Sequence, residues 1–130
     1  MSNTHSSFGY ADDLFGFPRI PDDLRELSKF PILSELSEYV PDRDRAYVFR
    51  REHIKTAQVW VYGAEKNILL QGETGTGKTT FLEQVASRLN WPLLSMGCHG
   101  GVEFQEFIGR VTLNVDGSTG WADGPLIAAM

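Results

Sequence analysis

A chain of 130 residues, 42% hydrophobic, with three Trp, four Tyr and eight Phe, has ample apolar surface for one globular domain. Its formal net charge is −5, with Lys and Arg spread along the chain rather than gathered in a basic stripe, so nucleic acid is not an expected partner. The single cysteine, Cys98, excludes an intrachain disulfide and fits a cytoplasmic location, no apolar run approaches the ~20 residues that cross a bilayer, and the polar, uncharged first residues are not a secretory leader.

Residues 1–9 are rich in Ser, Asn, Thr and Gly and are expected to be disordered. Asp12-Asp13-Leu14-Phe15-Gly16-Phe17-Pro18 reads as a short segment that docks through its aromatic residues. Just after Pro21, Asp22 or Asp23 can cap a short helix running to about Phe30; Pro31 then starts a second through Tyr39, and Pro41 stops it. Helices this short need a surface to pack on. Tyr47-Val48-Phe49 leads into a helix predicted from about Arg51 to Tyr62, with Gly63 placed to end it. Tyr47 and Val48, ahead of a phosphate loop, are candidates for contact with a nucleotide base, with core packing as the competing role.

Asn67-Ile68-Leu69-Leu70-Gln71 is a short apolar run that reads as a buried strand, and Phe81, Leu82, Val85, Ala86 and Leu89 recur at helical spacing between Lys78 and Asn90. Between them stands Gly72-Glu73-Thr74-Gly75-Thr76-Gly77-Lys78-Thr79, a complete phosphate-loop pattern in the strand–turn–helix setting that the motif requires. Gly72, Gly75 and Gly77 permit backbone conformations that a Cβ forbids, so the N–H groups turn inward as an anion nest at the start of a helix. The segment Gly72 to Thr80 is the candidate cradle for ATP. Lys78 is expected to reach the β- and γ-phosphates and Thr79 to place its hydroxyl on Mg²⁺, making these two the catalytic candidates. Glu73, Thr74 and Thr76 fill free positions and are assigned no side-chain chemistry, and Thr80 has an ordinary first-turn role as its alternative.

After Trp91-Pro92, Leu93-Leu94-Ser95-Met96 suggests a second strand, Gly97 to Gly101 a loop, and Phe104 to Ile108 a short helix. Val111 to Val115 alternates and meets the turn signal Asp116-Gly117 before Ser118-Thr119-Gly120-Trp121, which predicts a β-hairpin. Asp123-Gly124-Pro125 opens a final helix over Leu126–Met130. Cys98-His99 lacks the further ligands of a metal site, and His5 and His53 have no visible catalytic partner. Hydrolysis needs an acidic residue ending a second strand to hold Mg²⁺. Four apolar residues followed by Asp-Glu do not occur. Leu113-Asn114-Val115-Asp116 is the nearest imitation, and it sits in the predicted hairpin. Arg110 could stabilise phosphate charge or serve as a solvated residue. As written, the chain is expected to bind nucleotide without hydrolysing it.

In order along the chain, the phosphate loop, Glu83-Gln84-Val85-Ala86-Ser87-Arg88-Leu89-Asn90-Trp91-Pro92, Phe107-Ile108-Gly109-Arg110 and Trp121-Ala122-Asp123-Gly124-Pro125-Leu126 resemble the MoxR-type, dynein-related branch of the AAA+ ATPases. Within it the likeness is to the CobS-type ATPase subunit of cobaltochelatase, whose lead-in Val40-Pro41-Asp42-Arg43-Asp44 and Tyr47-Val48-Phe49 also resemble. The resemblance implies an α/β P-loop NTPase with a three-layer α/β/α core, incomplete at the C-terminus. Residues 1–40 would be an N-terminal tail and short helical adaptor, and residues 41–130 the first part of the AAA+ domain. It further implies a hexameric ring with ATP and Mg²⁺ at subunit interfaces, and a hairpin from Val111 to Trp121 facing the pore or a partner. Turnover would remodel a partner protein or drive metal insertion, with a partner subunit bearing a metal-ion-dependent adhesion (VWA) fold. The family's second acidic motif, sensors, arginine finger and lid would lie beyond Met130, so a fragment of a longer protein is expected. The competing readings are a non-hydrolysing nucleotide-binding interaction module and a small phosphotransferase.

Overall fold

Residues 5–35, 37–64 and 67–130 are described by the structure, a computed structural model, and of His5 and Ser6 only the backbone is described. The chain falls into two compact units, Met1–Leu93 and Leu94–Met130.

In the first unit, strand β1 (His5–Tyr10) pairs antiparallel with β2 (Lys29–Leu33), setting Tyr10 opposite Lys29, Gly9 opposite Phe30 and Phe8 opposite Pro31, with a bulge between His5 and Ser7. This corrects the expectation of disorder over residues 1–9 for the part that is described. A polar stretch gains order here from a partner about twenty residues away, which no local window sees. At Gly9 an added Cβ would lie 2.8 Å from Ile32 Cδ1 and 2.9 Å from Leu14, so the bare backbone lets β1 lie close against its neighbours.

The same pairing corrects the two predicted helices. Helix α2 spans only Asp22–Arg25 and passes through a single 3₁₀ turn, Glu26–Ser28, into β2; no helix forms over Pro31–Tyr39 among the described residues, Leu36 lying outside them. Pro31 itself disfavours the helical conformation at Phe30, and a proline is tolerated in a two-stranded ribbon, where every strand is an edge. Phe30, fully buried, decides the outcome.

The segment expected to dock through its aromatics does so on the chain's own core. Helix α1 (Ala11–Phe15) ends at Gly16, whose left-handed φ of 73° lets its N–H reach Asp12 O at 3.1 Å. The Phe15 ring then meets Phe30 edge-on at 5.1 Å and Phe49 at 4.8 Å. Each such pair adds about 0.5–1.5 kcal/mol beyond area burial. The buried carboxylate of Asp12 is compensated by the Ile20 N–H at 3.2 Å and by Arg25, whose Nε lies 3.2 Å from Oδ2.

Helix α3 (Arg51–Tyr62) forms over the predicted span and turns Ile54, Ala57 and Val61 inward; Gly63 ends it, its N–H on Val59 O at 2.8 Å. Helix α4 (Lys78–Leu89) presents Phe81, Val85 and Leu89 to the same core and stops at Asn90 in the left-handed conformation. The Tyr62 hydroxyl donates to Lys29 O at 2.5 Å, and Asn90 Nδ2 donates to Leu33 O at 2.8 Å and Glu35 O at 2.9 Å. Helix α1, strand β2 and the two long helices therefore share one core. The predicted strands at Asn67–Gln71 and Leu93–Met96 carry no ladder. Ile68 and Leu70 are half-buried while Leu69 is 91% exposed, so the period-two burial is present, but no described residue supplies the backbone partners that a parallel strand takes from both sides.

From Phe104 onward the second unit follows its prediction. Helix α5 (Phe104–Ile108) leads into β3 (Gly109–Leu113), which pairs antiparallel with β4 (Thr119–Asp123), and α6 (Pro125–Ala128) follows with Pro125 in its first turn. Val111 faces Trp121 and Leu113 faces Thr119 across the ribbon. At the turn, Gly117 has φ 82°, and Asp116 Oδ1 accepts from Ser118 N at 2.9 Å and Ser118 Oγ at 2.6 Å. Both sheets among the described residues are two-stranded and antiparallel, and no helix there is long and apolar enough to cross a membrane.

Candidate phosphate-binding site

The loop from Gly72 to Thr80 is built by conformation rather than by packing. Gly75 (φ 84°) and Gly77 (φ 83°) are left-handed, yet a Cβ added at either would meet nothing within 4 Å. Their requirement is for the backbone angle, which a side chain strains. Gly77 is the residue from which α4 starts, and the first helical bond runs from Phe81 N to Gly77 O at 2.8 Å. The N–H groups of Lys78, Thr79 and Thr80 consequently have no partner within the helix, no side chain caps them, and the first turn carries no acidic residue. With the helix dipole behind them, they form a half-positive terminus.

Lys78 folds back over the loop. Its Nζ donates to Gly72 O at 3.0 Å, Glu73 O at 2.6 Å and Thr76 Oγ1 at 3.3 Å, and Thr76 Oγ1 donates in turn to Glu73 O at 2.9 Å. Among the described residues no carboxylate pairs with the ammonium, so its charge is held by two carbonyls and a hydroxyl. Gly72, Glu73, Thr74, Gly75 and Thr76 are exposed, as is Thr79; Gly77, Lys78 and Thr80 are half-buried. The nine sequence-designated residues thus run as one continuous, largely solvent-open loop, with the carbonyls of Gly72 and Glu73 and the Thr76 hydroxyl turned onto the Lys78 ammonium. This donor set fits a Mg²⁺-bound triphosphate: backbone N–H groups and an unpaired ammonium for the phosphates, and an exposed hydroxyl for the metal.

Of the other candidates, Tyr47 packs on Phe49 at 4.8 Å, its hydroxyl pushed up by burial, and Val48 is exposed. Asp116 is committed to Ser118 in the hairpin turn, and those hydrogen bonds hold its carboxyl below the usual range. Arg110 lies exposed on β3 opposite Ala122. Sequence reasoning gave Gln84 and Arg88 no role. Both are buried because residues 42–44 fold across α4: Asp44 N donates to Gln84 Oε1 at 3.0 Å, Gln84 Nε2 to Asp42 O at 3.1 Å, and Arg88 Nη2 to Asp44 O at 2.9 Å. Their identity as polar residues on the inward face of α4, beside Val85 and Leu89, was the available signal.

Comparison with known proteins finds a family that the sequence carrying this loop matches. Residues 67–130 match the AAA domain (dynein-related subfamily). That segment belongs to the dynein-related AAA family. Among curated proteins, the denitrification regulatory protein NirQ of Stutzerimonas stutzeri is 40% identical over 73 residues, covering 56% of this chain and 26% of that protein. Protein NorQ of Paracoccus denitrificans is 37% identical over 92 residues, 71% of this chain and 30% of NorQ. The aerobic cobaltochelatase subunit CobS of a Sinorhizobium species is 36% identical over 98 residues, 75% of this chain and 27% of CobS. The chain therefore spans roughly a quarter to a third of the length of these AAA relatives. No solved structure matches. The recognised resemblance to MoxR- and CobS-like AAA+ proteins stands, and with it the α/β P-loop class of the segment.

Proposed function

We propose that this chain supplies the nucleotide-gripping part of a MoxR- or CobS-like AAA+ ATPase. In this reading Gly72 to Thr80 cradle the phosphates of ATP, Lys78 releases the loop carbonyls to bind the β- and γ-phosphates, and the Thr79 hydroxyl is a ligand of Mg²⁺. The metal, when bound, neutralises charge developing on the phosphates. Residues 41–130 are the first part of a three-layer AAA+ domain, and residues 1–40 an adaptor packed on it. The complete protein forms a ring, and turnover remodels a partner or drives metal insertion. Relatives named as a cobaltochelatase subunit and as denitrification regulators support this range of roles. The observation that carries the reading is the start of α4: three N–H groups without a partner in the helix or a side-chain cap, beside an exposed loop whose one cation pairs with no carboxylate among the described residues.

Calorimetric titration with MgATP tests it. Lys78→Ala is expected to weaken binding at least about tenfold, ~1.4 kcal/mol, with the unfolding midpoint unchanged. Thr79→Ala is expected to bind ATP equally well with and without Mg²⁺. Undiminished affinity in Lys78→Ala would sink the assignment. ATP-dependent assembly of the complete protein, followed by light scattering, tests the ring, and a protein that binds ATP yet stays monomeric and releases no phosphate would favour the interaction-module reading.

A further inference from the structure

Away from the phosphate loop, the first unit holds a cavity of about 310 Å³ walled in part by Arg43, Arg45 and Arg88, with Leu14, Phe15 and Tyr47 beside them. Arg88 follows Lys78 by ten residues on α4, about 15 Å along the axis at ~1.5 Å per residue, so the two sites are separate. Among the described residues none of the three arginines forms an ion pair, although the chain as a whole is acidic.

Arg88 is only 8% exposed. It spends two of its five N–H groups, Nη1 on Gln84 Oε1 at 3.1 Å and Nη2 on Asp44 O at 2.9 Å, while its Nε is buried with no partner. Burial pushes the guanidinium down from its ordinary range, and the like charge of Arg43 adds to this while Asp44 acts against it. A buried cation is ordinarily matched by an anion, because its lost hydration and the repulsion from its neighbours must be offset. Here the hydrogen bonds go to neutral acceptors only, and the one carboxylate that helps, that of Asp44, acts through its field without forming an ion pair. The guanidinium fork matches the oxygens of a phosphate or carboxylate, and the aromatic and aliphatic wall gives such a ligand an apolar surface to lie on.

We infer that this cavity binds a small organic oxyanion, a phosphate or carboxylate group carried on an apolar body, gripped by Arg43 and Arg45 over a floor that includes Arg88. The site is independent of the nucleotide reading and requires neither ATP nor ring assembly. The test is calorimetry on the full 130-residue chain carrying Lys78→Ala, which silences the phosphate loop. Phenyl phosphate, benzoate, inorganic phosphate and benzyl alcohol are the probes.

Saturable binding of phenyl phosphate, of benzoate or of both, at least tenfold tighter than benzyl alcohol, is expected, and their ranking tells which oxyanion the site prefers. Adding Arg43→Gln and Arg45→Gln, both exposed positions, is expected to weaken that binding at least tenfold. In the wild-type loop background the same pair should leave MgATP affinity and the unfolding midpoint unchanged. No saturable binding in Lys78→Ala, binding indifferent to the two arginines, or inorganic phosphate binding as tightly as phenyl phosphate would each overturn the proposal.

Discussion

The two units of this chain are held together by different physics. In Met1–Leu93 the aromatic rings of Phe15, Phe30 and Phe49 interlock, and the inward faces of α3 and α4 close over them. In Leu94–Met130 the only buried residues are glycines: Gly109 and Gly124. A Cβ at Gly124 would stand 2.4 Å from Phe107 O and 2.8 Å from Gly109 N, so backbone lies directly on backbone, and the Gly124 N–H reaches Ile108 O at 2.8 Å. Phe104, Leu113, Val115 and Trp121 all point to solvent. One unit is ordered by side-chain burial and the other by ladder hydrogen bonds and close main-chain approach, an arrangement of marginal stability for an isolated two-stranded ribbon.

The largest break in this contrast is expected from Phe30→Ala. Emptying the centre of the aromatic cluster should cost about 3–5 kcal/mol, read as a lower urea midpoint for the first unit, while amide signals of Val111 to Trp121 stay in place. Simultaneous loss of the hairpin signals would show that the two units are one cooperative body. Gly124→Ala is the converse. Forcing a methyl against the Phe107 carbonyl should cost about 1–3 kcal/mol and abolish the Val111–Trp121 cross-strand contact in nuclear Overhauser spectra, with the first unit's midpoint untouched.

Acid should distinguish the units less strongly. Burial pushes the Asp12 carboxyl up, but the Ile20 N–H and the Arg25 guanidinium outweigh it and hold the group below its usual 3.8. A depressed folded value means that the stabilisation is full above pH ~4 and lost as pH falls through the lower folded value. The first unit should therefore loosen only once the pH falls below 3.8 in the wild type. Asp12→Asn should be less stable at neutral pH and show a flatter acid limb; an identical limb would refute the role given to Asp12. Smallest of all, Val115→Ser, at the solvent-facing hairpin tip, should change stability by no more than about 0.5 kcal/mol.

What the sequence made legible were the features whose causes are local. Helices α3 and α4, the left-handed glycines of the loop and the Asp116-Gly117 turn are written in spacing and residue type within a few positions. The strand over His5–Tyr10 was not, because its partner lies beyond Arg25 and it opens on polar residues, His5-Ser6-Ser7. Phe30 to Leu33 read as part of a helix because proline marks helix starts as well as strand edges, and burial against Phe15 settled the choice. At the site, the donors of Gly72 to Thr80 follow from the motif. The burial of Arg88 depends on residues 42–44 crossing α4, a tertiary event that no window of sequence contains.

Asn90 gives α4 a second anchor. Its side chain ties the far end of that helix to the carbonyls of Leu33 and Glu35, just where β2 ends. The helix is thereby a strut about 18 Å long, hinged at Gly77 and riveted at Asn90. Its far end is thus tied to the end of the N-terminal ribbon rather than left to fray, and residues 33–35 are where the helix that begins at the loop meets that ribbon.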